Sequence, residues 1–342
     1  MTPERFRAIT NSYSSLRMAV VGDFCLDRYL EIDPGKAEVS IETGLPVHNV
    51  VNVRSQPGGA GTILNNLIAV GVGEVCPVGF CGDDGEGYEL RRALRGKRGV
   101  RLGYFLRTAG RRTFTYCKPL MMPPGEPPVE LNRLDSKNWS PTPALIQGRL
   151  IDSVARLAPE VDAIILLDQV DVPGTGVITA KVLEAISCIL HEIPELLIVA
   201  DSRRGLRGFP NVTFKMNSTE LAFLAGEKSP MELETIKRIA IELALRQHQN
   251  VIVTLADNGM LGASPSGTCH HVPAHPLRGP IDIVGAGDAV TANLTAALAA
   301  GATLGEALEL ANAAASFVIH QLGTTGAATV RDIGAVLTAA PV

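Results

Sequence analysis

The sequence predicts an α/β protein of three layers: a mostly parallel central sheet, helices on both of its faces, and a small β lid. Three observations carry this. Short runs rich in Val, Ile and Leu, at 18–21, 163–167, 196–200 and 251–255, alternate with segments of helical period. That is the pattern of parallel strands buried on both faces by crossover helices. Acidic residues close several of these runs: Asp23, Asp168 and Asp201. Open α/β sheets bind ligands outside the carboxyl ends of their strands, so acids there are candidate site residues. Two stretches, about 29–54 and 103–135, leave the rhythm and hold strand-like segments of their own at 47–53 and 112–118. They read as excursions that build the lid.

Taken in chain order, residues 1–17 carry charges with Ser and Asn and lack the apolar stretch of a secretory signal. Helices read at 60–70, 85–95, 143–157, 175–191, 231–247, 285–299 and 304–321, with Gly301 as the stop between the last two. A Pro-rich tip at 122–128 fits a rigid loop or a polyproline recognition segment. No internal repeat and no linker divides the chain, so 1–342 is expected to form one domain with 29–54 and 103–135 as its lid.

Of the 342 residues, 46% are hydrophobic, enough for a sizeable core. The net charge of -4 offers no basic surplus for a nucleic acid. The most apolar run, 163–167, is too short to span a bilayer. The Ala-rich stretch 289–319 is interrupted by Asn293, Glu306, Glu309 and Asn312, which makes it a pair of buried helices. Six cysteines without a C-x-x-C pair read as reduced thiols of a cytoplasmic protein. His270, His271 and His275 have Cys269 beside them but no zinc spacing, and are expected on a polar strand and loop.

The densest chemical signal is Asp282-Ile283-Val284-Gly285-Ala286-Gly287-Asp288, which runs directly into an apolar helix. Glycines at a helix start let a ligand approach the backbone. The first-turn N–H groups have no helical partners and the dipole adds positive potential, so the segment is a ready phosphate site. Asp288 falls in the first turn, where a carboxylate can take the proton of an attacking hydroxyl. The dipole is expected to keep it ionised. A glycine-rich turn with an Asp favoured by the dipole has the same sequence.

Asn217-Ser218-Thr219-Glu220 is expected at a strand end and a helix start. There an amide and an acid can hold the water shell of Mg²⁺, or they can form a capping box. Asp27, after the first strand, either hydrogen-bonds a hydroxyl of a ligand or is a charge where the chain leaves the sheet.

Four segments, in this order, resemble the PfkB/ribokinase carbohydrate kinases: Val20-Val21-Gly22-Asp23-Phe24-Cys25-Leu26-Asp27; Gly58-Gly59 before a helix with Asn65 and Asn66; Asn217-Ser218-Thr219-Glu220; and Gly285-Ala286-Gly287-Asp288. The likeness runs from 18 to about 328. It implies a ribokinase-like α/β/α sandwich and ATP-dependent phosphorylation of a sugar. By this resemblance Asp288 is the catalytic base, and Gly285, Ala286 and Gly287 form the anion hole. Asp27, Asp23, Gly58, Gly59, Asn65 and Arg133 bind the sugar, and Asn217 and Glu220 place Mg²⁺, through water, with the phosphates. Thr254, Ala256 and Gly259 line the ATP site and Asn312 lies near the adenine, although Gly259 equally suits a hairpin turn and Asn312 a polar helix position. Asp282, with backbone groups near Gly323, is similar to the family's monovalent-cation (K⁺) site, with Val284 where many members carry Thr. A β lid implies, by family analogy, a homodimer formed through it.

Within the family the likeness is closest to the D-glycero-D-manno-heptose 7-phosphate kinases, which phosphorylate the anomeric hydroxyl. It rests on 22–29, 56–60, 132–135 and 311–315. Those enzymes are often fused to a C-terminal nucleotidyltransferase, for which a chain ending at Val342 leaves no room. Thr62 replaces an Asn, Asp168-Gln169-Val170-Asp171 lacks the Tyr and Lys of D-Y-x-K, and Asp201-Ser202-Arg203-Arg204 replaces D-P-K. Two acceptors stay open. A sugar phosphate would draw on Arg111, Arg112, Lys118, Arg133, Arg203 and Arg204. For another sugar or a nucleoside, these are solvated surface charges. A non-catalytic sugar or nucleotide sensor is a third reading, against which an intact Asp288, its glycines, Asn217 and Glu220 speak.

Overall fold

A computed structural model describes residues 1–338. In chain order its strands are β1 (Arg17–Gly22), β2 (Phe24–Ile32), β3 (Glu38–Val39), β4 (Pro46–Val47), β5 (Val50–Gly59), β6 (Glu74–Gly82), β7 (Phe105–Thr108), β8 (Phe114–Met121), β9 (Val129–Glu130), β10 (Ala163–Asp168), β11 (Leu197–Ser202), β12 (Thr213–Asn217), β13 (Val251–Thr254), β14 (Met260–Ala263) and β15 (Cys269–Val272). The helices are α1 (Pro3–Ser12), α2 (Ala60–Ala69), α3 (Gly85–Arg95), α4 (Ala144–Leu157), α5 (Ala180–Glu192), α6 (Ser218–Ala225), α7 (Leu233–Gln247), α8 (Ala286–Ala299), α9 (Leu304–Val318) and α10 (Val330–Thr338).

Nine strands form the main sheet in the order β15-β14-β13-β12-β11-β10-β1-β6-β7. It is parallel from β7 to β13 and ends in the antiparallel strands β14 and β15. Successive residues of a strand point to opposite faces, and here the two faces hold separate cores. Ala19, Val21, Ile164 and Leu166 pack with Leu150 of α4, Ile186 of α5 and Leu243 of α7. Met18, Val20, Ile165 and Leu167 pack with Leu64 of α2, Leu294 of α8 and Leu310 of α9. Because β10 is buried along its whole length, its sequence is an unbroken apolar run rather than an alternation. The strand order reverses at β1, with β6 on one side and β10 on the other. The crevice at that reversal, outside the carboxyl ends, is where such sheets bind ligands.

The lid is a four-stranded sheet, β5-β2-β8-β9, reached directly from β1 through Asp23. It begins at Phe24, earlier than the expected 29. The stretch 103–135 divides, because β7 joins the main sheet as its edge and only β8 and β9 belong to the lid. Gly59 ends β5 at φ +57, and a Cβ there would lie 2.6 Å from the Asp23 carbonyl oxygen, so only glycine lets the chain turn from lid to α2.

Other boundaries moved for local reasons. The helix expected from 175 starts at Ala180, where the Thr179 side chain accepts from the Val182 N–H, and the residues before it form a turn. The strand β6 is not among the expected runs, since Pro77 and Gly79 interrupt its apolar pattern; its ladder with β7 starts only at Gly79, so Pro77 pairs with β1 alone. Among the described residues, no helix is long and apolar enough to cross a membrane.

Candidate active site

The floor of the crevice is the start of α8. Gly285 is its N-cap at φ +85, a left-handed conformation that favours glycine. The turn before it is held by Asp282, whose Oδ1 accepts the Val284 N–H at 3.0 Å and whose Oδ2 accepts the Gly323 N–H at 3.3 Å. Asp282 and the Gly323 backbone therefore meet, as the cation reading requires, but both carboxylate oxygens already hold an N–H. Within α8 the N–H groups of Gly287 and Asp288 donate to no acceptor among the described residues, which leaves them available to an anion.

Asp288 is the third residue of the helix and half-buried. Its carboxyl is pushed up to about 7, first by burial and then by the charge of Asp201; Lys215 opposes this and Asp27 adds to it. This corrects the expectation that the dipole keeps it ionised, because loss of water outweighs the dipole. The group is poised to exchange a proton near neutrality.

Lys215 was not anticipated as a site residue. It lies in β12, 6% exposed, with Nζ 2.6 Å from Asp201 Oδ2, which also accepts the Thr291 hydroxyl at 3.0 Å. A Cβ added to Gly287 would come within 3.1 Å of that Nζ, so the ammonium sits directly under the glycine turn. Burial draws the Lys215 pKa down, but Asp201 more than restores it and Asp288 and Glu220 add to this, so it stays above its ordinary value as a fixed positive charge. The available signal was a lysine inside the apolar run Val212–Met216, two residues before Asn217.

As expected, β12 ends at Asn217 and α6 starts at Ser218. The capping box forms: Asn217 Oδ1 accepts the Glu220 N–H at 2.9 Å and Glu220 Oε2 accepts the Asn217 N–H at 2.7 Å. Each side chain thus spends one polar atom, and Glu220 Oε1 and Asn217 Nδ2 have no partner among the described residues. The capping and metal roles are compatible. Burial raises the Glu220 carboxyl, the Asn217 N–H opposes this, and Asp201 adds to it.

On the lid, Asp27 is 7% exposed and takes no hydrogen bond from any described residue. A Cβ on Gly58 would lie 2.5 Å from its Oδ2, so the glycine makes room for the carboxyl. Burial raises the Asp27 pKa, and Lys118 and Arg133 draw it down. These two cations stack on neighbouring rings of the same lid face, Lys118 Nζ 5.2 Å from the Tyr29 centroid and Arg133 Cζ 5.1 Å from that of Tyr116. Asn65 is the other open group: its Oδ1 is buried without a partner, and its Nδ2 lies 3.5 Å from the Pro57 carbonyl.

Asp23 is spent differently. Its Oδ2 accepts the Gln169 N–H at 2.8 Å and its Oδ1 the Val177 N–H at 2.7 Å, pinning the loop after β10; burial and then Asp168 push it up to about 7. Of the arginines weighed for an acceptor phosphate, Arg111 is buried and donates to the carbonyls of Ser140 at 3.0 Å and Thr175 at 2.5 Å. Arg204 pairs with the fully buried Asp168 at 2.7 Å, and Arg203 lies 3.9 Å from Asp171. Arg112 is 4.0 Å from Asp84. Arg111 and Arg204 are thus committed to the scaffold, while Lys118 and Arg133 face Asp27, Arg133 pairing with Asp135 at 3.1 Å.

The residues expected at the nucleotide lie at the end of β13 and on α9. Thr254 closes β13, Ala256 holds a left-handed φ of +49, and Gly259, at φ +81, is the turn into β14, packed against the Val272 carbonyl. A non-glycine residue at positive φ is uncommon and stores strain. Asn312 is 6% exposed and donates Nδ2 to the Pro273 carbonyl at 2.8 Å, fixing the loop after β15. His270 and His271 are on β15, and His271 Nε2 contacts the Asn258 carbonyl at 2.8 Å.

The model of the pfkB family carbohydrate kinases matches residues 197–330, which include Asp201, Lys215, Asn217, Glu220, the glycine turn, Asp288 and Asn312. The bifunctional protein HldE of Pelobacter propionicus is 30% identical over 338 residues, 98% of this chain and 66% of that protein. HldE of Geotalea uraniireducens is 31% identical over 320 residues, 91% of this chain and 61% of that protein. The chain spans about two thirds or less of these relatives. Among solved structures, Arabidopsis thaliana ribokinase complexed with ribose and ATP superposes with a TM-score of 0.66 at 19% identity, covering 95% of this chain and 99% of that one. Escherichia coli phosphofructokinase-2 in complex with potassium gives a TM-score of 0.71 at 18% identity, covering 94% and 98%. The fold is ribokinase-like.

Proposed function

The chain belongs to the pfkB family of carbohydrate kinases, and within it we propose that this protein transfers the γ-phosphoryl group of ATP to a hydroxyl of a sugar phosphate, a heptose 7-phosphate at its anomeric position being the first candidate. One arrangement carries the reading: Asp288, in the first turn of α8, adjoins two helix N–H groups that donate to no acceptor among the described residues, and it feels the charge of the lid carboxyl Asp27. Asp27 would hold the acceptor's hydroxyls and Asn65 Oδ1 would accept another. Lys118 and Arg133 would take its phosphate, a dianion that needs cationic partners once desolvated. The solved sugar kinases sharing the fold, ribokinase and phosphofructokinase-2, support a sugar as acceptor.

In the proposed step the acceptor oxygen bonds to the γ-phosphorus while Asp288 takes its proton, and ADP leaves with the bridging oxygen and its electron pair. The N–H groups of Gly287 and Asp288, with Lys215 beneath them, stabilise the charge on the transferred group. Mg²⁺ would be held through water by Glu220 and Asn217, and when bound it neutralises phosphate charge. Asp282, each of whose oxygens holds one N–H and keeps a further lone pair, is proposed with the Gly323 backbone as the place of a monovalent cation. A second copy is proposed to cover the lid through Val50, Val51 and Val53, which are 43%, 49% and 45% exposed. The six unpaired cysteines suit the cytoplasm.

Competition between free sugars and their phosphates tests the acceptor. A sugar phosphate is expected to have kcat/KM at least about a hundredfold above its free sugar, as two charge-assisted contacts allow. Lys118→Met/Arg133→Met should erase that preference while leaving the free sugar's value within a few fold. A neutral sugar or nucleoside turned over faster than any sugar phosphate would reject the assignment. Glu220→Gln tests the metal role. Gln at N3 also completes a capping box, so Tm should hold while the Mg²⁺ concentration for half-maximal turnover rises severalfold. An unmoved titration would leave Glu220 a cap only.

A further inference from the structure

Away from the cleft, α3 passes the edge strand β7 and the two enclose a groove of about 510 Å³ lined by Arg91, Arg92, Arg95, Arg107 and Tyr88, with Asp83 and Asp84 at one end. Residues 91–107 hold seven cations and no acid, in a chain whose net charge is -4. Both groove carboxylates are already taken. Asp83 pairs with Arg107, and Asp84 caps α3 through the Gly87 N–H at 2.8 Å and accepts the Thr113 hydroxyl at 2.6 Å. Arg91 is anchored, donating Nη1 to the Phe105 carbonyl at 3.0 Å. Arg92 and Arg95 have no acidic partner among the described residues. Their place in the last turn of α3 suits the negative end of its dipole, and Arg107, held by Asp83, lines the same groove from another element. Tyr88 stands 67% exposed beside them, one turn earlier on α3.

We propose that this groove binds a nucleoside polyphosphate at a site separate from the catalytic cleft, with its phosphates on Arg92 and Arg95 and its base against Tyr88. Guanidinium forks match phosphate oxygens two at a time, and an exposed aromatic ring accepts any base face. The occupant is recognised by charge and stacking alone, so the site is independent of the reaction proposed for the cleft.

Equilibrium dialysis with ADP, and in parallel with inorganic tripolyphosphate, tests it on the whole chain. Arg92→Glu/Arg95→Glu, at exposed positions, should bind one ADP per chain fewer than wild type at saturation. It should also bind tripolyphosphate at least about tenfold more weakly. Tyr88→Ala should weaken ADP at that site and leave tripolyphosphate unchanged. The difference between wild type and variant is the readout, so it stands whether or not the cleft itself takes ADP. Equal ADP stoichiometry in wild type and the double variant overturns the site, as does equal tripolyphosphate affinity; equal loss of both ligands in Tyr88→Ala overturns the stacking role.

Discussion

Asp288→Asn is expected to lower kcat by about three orders of magnitude, with KM for ATP and for the acceptor changing by less than about threefold. The amide keeps the shape and removes a proton acceptor that acts only as the hydroxyl attacks, so the loss falls on the transition state. The wild-type pH profile follows from the same group. Its carboxyl titrates at about 7, raised first by burial, so kcat should rise about tenfold per pH unit below that value and level off above it. Stability should move the opposite way. A carboxyl that ionises near 7 when folded, and near 4 when unfolded, binds more protons in the folded state between those values. Its ionisation therefore costs the folded chain progressively as pH rises from about 4 to about 7. Asp288→Asn should melt a few degrees above wild type at pH 8 and close to it at pH 4. A variant keeping more than about a tenth of wild-type turnover would show that the base lies elsewhere.

The parts legible in the sequence are those whose physics is local. Runs such as 163–167 announce a strand buried on both faces, and the glycines before Asp288 announce a helix start open to an anion, because each depends on neighbours in the chain. Hidden parts depend on distant ones. The strand β12 carries Thr213 and Lys215, and a lysine inside a strand reads as exposure; only Asp201, fourteen residues earlier, makes its burial tolerable. Asp23 and Asp27 look alike in sequence, four residues apart at the same sheet end. Asp23 is consumed by backbone N–H groups of a loop near residue 170, and Asp27 is left open by a glycine at 58. Arg111 and Arg133 were equally plausible partners for a phosphate; the first is swallowed by carbonyls of segments not yet placed when the chain is read as a string.

Lys215→Met is the second substitution with a large expected effect, and it separates two roles. Removing one member of a buried pair leaves Asp201 an uncompensated charge, which costs roughly 3–5 kcal/mol; Tm should drop accordingly. Because Lys215 opposes the upward push on Asp288, the limb of the pH profile should move above 7. A purely structural lysine would be replaced by restoring the balance of charge, so the double variant Lys215→Met/Asp201→Asn decides between the readings. It removes the stranded carboxylate as well as the cation, and should regain most of the lost Tm with a pH limb back near that of wild type. Turnover should nevertheless stay roughly a hundredfold low, since nothing then lies under the glycine turn to meet the charge on the transferred phosphoryl group. Wild-type turnover in the double variant would confine Lys215 to folding. A limb unmoved in Lys215→Met would remove it from the surroundings of the base. Low turnover at recovered Tm leaves the buried ammonium as part of the anion site, held in place by Asp201 and Thr291 and reaching the phosphoryl group only because residue 287 has no side chain.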